Sequence, residues 1–273
     1  MSIQASQTPL PSTDAEPVLL RLDDGGVTTL TLNRPQAGNA LSHALVDALK
    51  RELEAIAADR SVKVVVLTGI GDRVFCAGHD LREFLAESDA EALRAAADAA
   101  SAVVEAIVRL PQPVIAKVRG VATAAGLELV AAADLAIAES GARFATPGVN
   151  IGLWCLTPQV PLSRTVHPKH AFELLVTGKL FDAEHAFRIG LVNRVVPVDE
   201  LDGAVEELAR TIASKSSYAV SLGKESFHRQ RGLTLGDAFA YTGTLLPVNL
   251  QHADAQEGIA AFLEKRPPVW RGR

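Results

Sequence analysis

The run Val121-Ala-Thr-Ala-Ala-Gly-Leu-Glu128-Leu129 sets small side chains ahead of a single carboxylate, and an apolar, Ala-rich stretch follows. A helix opened by Ala124, Ala125 and Gly126 leaves its first backbone N–H groups uncovered, so a polarised or anionic oxygen can approach them closely. Glu128, one turn further on, would face whatever was bound there. The same small residues suit close packing of a helix end against a sheet, and the stretch alone does not separate the two readings.

A second small-residue turn precedes it. The apolar run ending at Thr68 leads into Gly69-Ile-Gly71-Asp-Arg-Val74-Phe75-Cys76-Ala77-Gly78-His79-Asp80-Leu81-Arg82. Gly69 and Gly71 open a dinucleotide-type fingerprint, but Val74 stands where the third glycine belongs and no helix pattern starts there. Asp80 instead reads as the N-cap of a short helix carrying Leu81, Phe84 and Leu85, which presents the His79 N–H at a helix entrance. Each turn follows a strand and offers a backbone donor, and two such donors make an oxyanion hole. The His79 imidazole reads as pocket lining rather than as an acid or base, and Asp80 as a cap rather than a second acid.

Other chemistries find no support. The remaining histidines, at 43, 167, 170, 185, 228 and 252, show no metal-ligand spacing with carboxylates or cysteines, so no metal is expected. No Gly-x-Ser-x-Gly turn is present, and Cys76 and Cys155 lie far apart in apolar surroundings as small core residues. A net charge of −5 and the lack of a basic cluster exclude a nucleic-acid binder. With 48% hydrophobic and 22% charged residues, and apolar runs shorter than a membrane span, the chain reads as a soluble globular protein. Residues 1–16 carry neither Lys nor Arg and match neither a secretory signal nor a transit peptide. They read as a mobile arm, and the chain as cytoplasmic.

The elements that must position these turns follow from periodicity. Val18–Leu22 and Val27–Leu32 flank Asp23-Asp24-Gly25-Gly26 as a β-hairpin. Ser42 caps a helix with Leu45, Leu49, Leu53 and Ile56 at helical spacing, and Lys63–Thr68 is a buried strand. A long helix spans about 89–110 and ends at Pro111 and Pro113, before strands over 114–118 and 134–138. Helices over 170–177 and 182–189 precede a strand over 191–196. Strands alternating with helices point to an α/β domain with mainly parallel pairing. From Pro197 the pattern is helical, over 199–215, 218–229 and roughly 235–265, and these helices must dock on the core or on another subunit.

The motifs together resemble the crotonase superfamily, the enoyl-CoA hydratase/isomerase family. The resemblance rests on Leu32-Asn33-Arg34-Pro35 with Asn39-Ala40-Leu41, the Phe75–Leu81 turn and the Gly120–Leu129 segment. Thr177-Gly178 before Asp182-Ala183, Gly190-Leu191-Val192 and the closing Glu257–Arg266 stretch extend it over residues 17–267. It implies a crotonase-like spiral of ββα repeats over 17–197, a C-terminal helical trimerisation region over 198–273, and homotrimers or dimers of trimers. It also implies an acyl-CoA thioester substrate and no cofactor beyond the coenzyme A that the substrate carries.

Carried over residue by residue, the resemblance makes the His79 and Ala125 N–H groups the oxyanion donors and Glu128 the acid/base. Ala40, Leu41, Ala77, Asp80, Leu81 and Arg82 would line the thioester and CoA path, with Arg82 near a phosphate. Phe262 and Lys265 would reach a neighbouring subunit's CoA. Hydratases of the family use a second glutamate, and Gly148 stands at its position here. The resemblance therefore leaves three expectations: a 2-enoyl-CoA hydratase of reduced activity, a double-bond isomerase, or a weakly active or inactive acyl-CoA-binding protein. The segments around Thr146–Cys155, Val220–Lys224 and Pro267–Trp270 look like a divergent branch, the enoyl-CoA hydratase domain-containing proteins.

Overall fold

The computed structural model describes residues 16–87 and 89–272, so all of the expected N-terminal arm except Glu16 lies outside the described residues. Strand β1 (Leu19–Asp24) turns through Gly25 and Gly26, both at positive φ, into β2 (Val27–Leu32), and the two pair antiparallel as the hairpin pattern predicts. Ser42 caps α1 (His43–Ala58) by accepting from the Leu45 N–H, and the four apolar residues at helical spacing are buried.

Strand pairs then repeat down the chain: β3 (Val64–Gly69) with β4 (Val74–Cys76), β5 (Val114–Val118) with β6 (Val121–Thr123), and β7 (Leu135–Glu139) with β8 (Arg143–Ala145). Helices α2 (Leu81–Ala86) and α3 (Ala90–Arg109) follow the first pair, and α4 (Ala125–Ala132) follows the second. A 3-10 turn (Pro147–Ile151), α5 (Gln159–Thr165) and α6 (Pro168–Thr177) follow the third. The chain then runs through β9 (Phe181–Asp182), α7 (Ala183–Arg188) and β10 (Arg194–Val196).

The first strand of each pair enters one sheet, ordered β1-β2-β3-β5-β7-β10, and the second enters another, ordered β4-β6-β8-β9. Apart from β1 and β9, every pairing is parallel. This is a mixed α/β spiral of ββα units, and the strands expected from periodicity correspond to the larger sheet. The smaller sheet is built from strands of two or three residues, too short to show an alternating period.

The larger sheet is buried on both faces. Leu30, Leu32, Val65, Leu67, Val114, Ala116 and Val118 enter the main core beneath α1 and α3. On the other face, Val64, Val66, Ile115 and Ile137 meet Leu201, Val205, Ala209 and Ala213 of α8 (Leu201–Ala213). Helix α8 therefore docks on its own chain.

Beyond it lie α9 (Ser217–Gln230), α10 (Leu235–Gln251) and α11 (Ala253–Leu263). The single helix expected over 235–265 is broken at His252, which leaves the helical region (φ −68°, ψ 143°) and accepts the Asp254 N–H on Nδ1 at 3.2 Å. The break lets the buried Asp254 carboxylate take the Ser216 hydroxyl at 2.6 Å and the Arg271 N–H at 2.7 Å, tying the chain's end to α9. Among the described residues, no helix is long and apolar enough to cross a membrane.

Candidate active site

Parallel neighbours deliver the two small-residue turns to the same place. Strands β4 and β6 pair in parallel, Val74 with Val121 and Cys76 with Ala122, so the turns that leave their carboxyl ends lie side by side. Three close approaches lock them together. A Cβ on Gly126 would sit 2.1 Å from the Cys76 carbonyl oxygen, so only glycine lets the start of α4 rest on the end of β4. Gly78, at φ 99°, turns its α-carbon toward Ala124 and the Ala125 nitrogen, and a Cβ there would meet them at 2.9 and 3.2 Å. The Thr123 hydroxyl donates to the Ala77 carbonyl at 3.0 Å.

Both expected donors are left open. Leu41 bridges the first turn by donating to Gly78 O at 2.7 Å and accepting from the Asp80 N–H at 3.0 Å, which directs the His79 N–H away from Leu41. Neither that N–H nor the Ala125 N–H has an acceptor among the described residues. Ala124, ahead of the helix, is held at φ 50°, a strained setting for a residue with a Cβ, and its N–H is tied to Ala145 O at 2.9 Å.

A frame of polar contacts supports the first turn. Asp80 caps α2 through the Arg82 N–H and binds the Arg34 guanidinium at 2.9 Å, and Arg34 also holds the Ala40 carbonyl at 2.6 Å. Asn39, itself at φ 52° and buried, donates to Ile70 O and Val74 O at 3.0 and 2.8 Å. The Asn39-Ala40-Leu41 motif and Arg34 thus fix the path of the chain around β4.

Glu128 follows one turn into α4, where all eight helix residues are buried and its own exposure is 3%. Burial pushes its carboxyl up to about 7, against the opposing effect of the Thr157 hydroxyl, which donates to Oε2 at 3.0 Å. A carboxyl poised near neutrality can both take and return a proton. Burial, and after it the charge of His43, lowers the pKa of the His79 ring from the ordinary imidazole value, and the ring stands edge-on to Phe84 at 5.1 Å.

Gly148, where the resemblance expects a second carboxylate, is crowded. Gly148 is the second residue of the 3-10 turn, and a Cβ there would meet Leu153 O at 2.9 Å and Cys155 Sγ at 3.1 Å. The Cys155 thiol accepts from the Gly148 N–H and is pushed up by burial and by the nearby Glu128 charge. A neutral thiol therefore stands beside the single carboxylate. Sequence reasoning left Cys155, like Asn150 and Trp154, between lining the acyl pocket and packing, with no catalytic role, and passed over Thr157. Their 27- and 29-residue separations from Glu128 left no local signal.

The remaining expected residues divide. Ala40 and Leu41 are buried behind the turn, Ala77 and Leu81 are exposed on it, and Arg82 projects from α2 into solvent. Phe262, 82% exposed on α11, lines a groove with Tyr218, Ile259 and Trp270, and no residue of the His79 turn or of α4 lines it. Lys265 follows at φ 55°. Linear spacing gave no metal-ligand set, yet among the described residues one potential ligand atom from each of His170, Glu173 and His185, on α6 and α7, lies within 4.8 Å of the others. Linear spacing missed this because the turn after α6 folds α7 back onto it.

Residues 23–273 match the family described as Enoyl-CoA hydratase/isomerase. The chain is 42% identical to the human enoyl-CoA hydratase domain-containing protein 3, mitochondrial, over 90% of its own length and 80% of that protein's. It is 39% identical to the Xenopus laevis protein of the same name, over 93% and 86%. A crotonyl-CoA hydratase of Syntrophomonas wolfei is 35% identical, over 88% and 92%. A crystal structure of an enoyl-CoA hydratase from Mycobacterium smegmatis superposes with a TM-score of 0.91 at 50% identity, covering 93% of this chain and 99% of that one. The human domain-containing protein 3 superposes at 0.89, over 93% and 100%. The vertebrate relatives are named as mitochondrial, which overturns the cytoplasmic reading; it rested on the charge-poor residues 1–16, and a missing leader pattern does not specify a compartment. With its fold, its interlocked turns and these matches in agreement, the chain belongs to the enoyl-CoA hydratase/isomerase family.

Proposed function

We propose that the protein adds water to 2-enoyl-CoA thioesters, with Glu128 as the acid/base and the His79 and Ala125 N–H groups holding the thioester oxygen. The observation that carries this reading is the buried Glu128 one turn beyond an open pair of backbone donors. As water adds at the β-carbon, its proton passes to the Glu128 carboxylate and charge develops on the thioester oxygen, where the two donors meet it. The protonated Glu128 then delivers a proton to the α-carbon. A carboxyl near 7 serves both steps without a second carboxylate. A positioned acid or base contributes about 10²–10⁴ in rate, so lacking one of the pair leaves slower hydration.

A second reading, acyl-CoA binding with little turnover, is favoured by the crowding at Gly148. Isomerisation is less well supported, since isomerases of the family carry their carboxylate at that position. On either reading Ala40, Leu41, Ala77, Asp80, Leu81 and Arg82 line the thioester path, and Phe262 and Lys265 act on a neighbouring copy's CoA. The expected division, a ββα core over 17–197 and an assembly region over 198–273, belongs to the same proposal.

The test uses crotonyl-CoA and a 3-enoyl-CoA with wild type and Glu128→Gln. Hydration of crotonyl-CoA that drops by about 10²-fold or more in the variant supports the proposal. Turnover unchanged by the substitution removes Glu128 from the mechanism, and thioester binding without turnover in wild type selects the binder.

A further inference from the structure

We propose that His170, Glu173 and His185 form a zinc site that ties α6 to α7. His170 and Glu173 are three residues apart on α6 and therefore share a face. His185 comes from α7, whose start is fixed by Asp182 accepting the His185 N–H at 2.7 Å. One potential ligand atom from each of the three side chains lies within 4.8 Å of the others. Zinc bonds of about 2.0–2.2 Å in a tetrahedron put ligand atoms about 3.3 Å apart. The gap to close is therefore at most about 1.5 Å, within the reach of side-chain rotation, and Glu173 is exposed enough to make it.

The histidine on α7 is already held for the role. Its ring lies against Phe181 with centroids 4.5 Å apart and meets His170 edge to face at 6.2 Å and 88°. Its Nδ1 faces the Arg188 guanidinium at 3.5 Å, which leaves Nε2 as the nitrogen for a ligand. That Nε2 is buried and has no hydrogen-bond partner among the described residues, a costly state that a metal bond would relieve. Binding there moves the ring proton to Nδ1, and the exposed Arg188 has room to swing aside. His167, the other imidazole nearby, is engaged in capping α6 through the Lys169 N–H.

Two imidazoles and one carboxylate are a nitrogen/oxygen set suited to zinc, with water completing the fourth position. The site would brace the 3-10 turn that carries Gly148. Gly178, which ends α6, accepts from the Asn150 side chain at 3.1 Å, and Asn150 belongs to the turn that begins beside Gly148. No substrate contact is required of the three ligands, and the metal's part there would be to tie α6 to α7.

Chelator-treated protein is titrated with zinc alone in a calorimeter, and its melting is followed with and without the metal. The expected result is one zinc per chain and a raised melting temperature in wild type. Affinity should fall at least about tenfold in both Glu173→Gln and His185→Gln, with the melting shift abolished. Because Glu173 is exposed, its variant keeps the fold even if the His185 variant does not. Absence of stoichiometric zinc in wild type overturns the proposal, as does zinc binding whose affinity Glu173→Gln and His170→Gln leave unchanged.

Discussion

Glu128 is a buried carboxyl, and its surroundings fix how it should respond to pH. Because its carboxyl is raised from the usual 4.5 to about 7, the folded state prefers it protonated. The resulting stability is complete below 4.5 and is lost as pH rises through 7, at up to about 1.4 kcal/mol per pH unit. Glu128→Gln should therefore melt above wild type at pH 8 and converge with it near pH 4; equal melting temperatures at both pH values would refute a buried, raised carboxyl. The Thr157 hydroxyl opposes the shift by stabilising the charged form. Thr157→Val should move the ascending limb of the kcat/KM profile to higher pH, costing up to about tenfold at pH 6 with little loss on the alkaline plateau. A uniform loss at every pH would give Thr157 a merely structural role. Gly148→Glu, which would supply the missing carboxylate, runs into the Leu153 carbonyl at 2.9 Å and the Cys155 thiol at 3.1 Å. It should lower stability by about 1–3 kcal/mol in thermal melts instead of raising hydration.

At the scale of elements, the two open donors exist because β4 and β6 are parallel neighbours and Gly126 allows α4 to start directly against Cys76. Gly126→Ala would set a methyl 2.1 Å from a backbone oxygen, which cannot move without shifting the His79 turn. Hydration should fall by about 10²-fold as the two donors lose their common focus, and a variant with wild-type kcat would show that the interlock does not position them. This also explains what the sequence did and did not reveal. The Val121–Leu129 run left packing and anion binding as rivals; the structure shows the packing, with Gly126 set against Cys76 so that the Ala125 N–H lies beside the turn. Asp80 was legible as a cap from local chemistry, whereas its ion pair with Arg34, 46 residues away, was not. The smaller sheet was invisible to periodicity because β4, β6 and β8 are three residues each, and the break at His252 because its cause is the distant Ser216 and Arg271.

Over the whole molecule, burial is uneven in a way that bears on assembly. Helix α9 is pinned to the core by Lys224, whose ammonium donates to the Ile107 and Gln112 carbonyls at 2.9 and 3.1 Å and to Asp134 at 2.6 Å. Helix α10 has no such anchor and buries none of its residues. Leu235, Phe239, Leu246 and Leu250 fall at intervals of four, seven and four, one stripe of the helix, with Phe239 71% exposed and Leu246 59%. An apolar stripe of this length is out of place in water and suits contact with another copy of the chain. Phe239→Glu with Leu246→Glu should therefore leave the fold intact by circular dichroism while reducing the mass measured by light scattering to that of one chain. If Phe262 and Lys265 act on a neighbour's CoA, the same variant should raise KM for a CoA thioester by about tenfold, an effect that a shorter pantetheine thioester, lacking the nucleotide, should not show. A variant of unchanged mass would remove α10 from the interface. Dissociation without a change in KM would confine each site to a single chain.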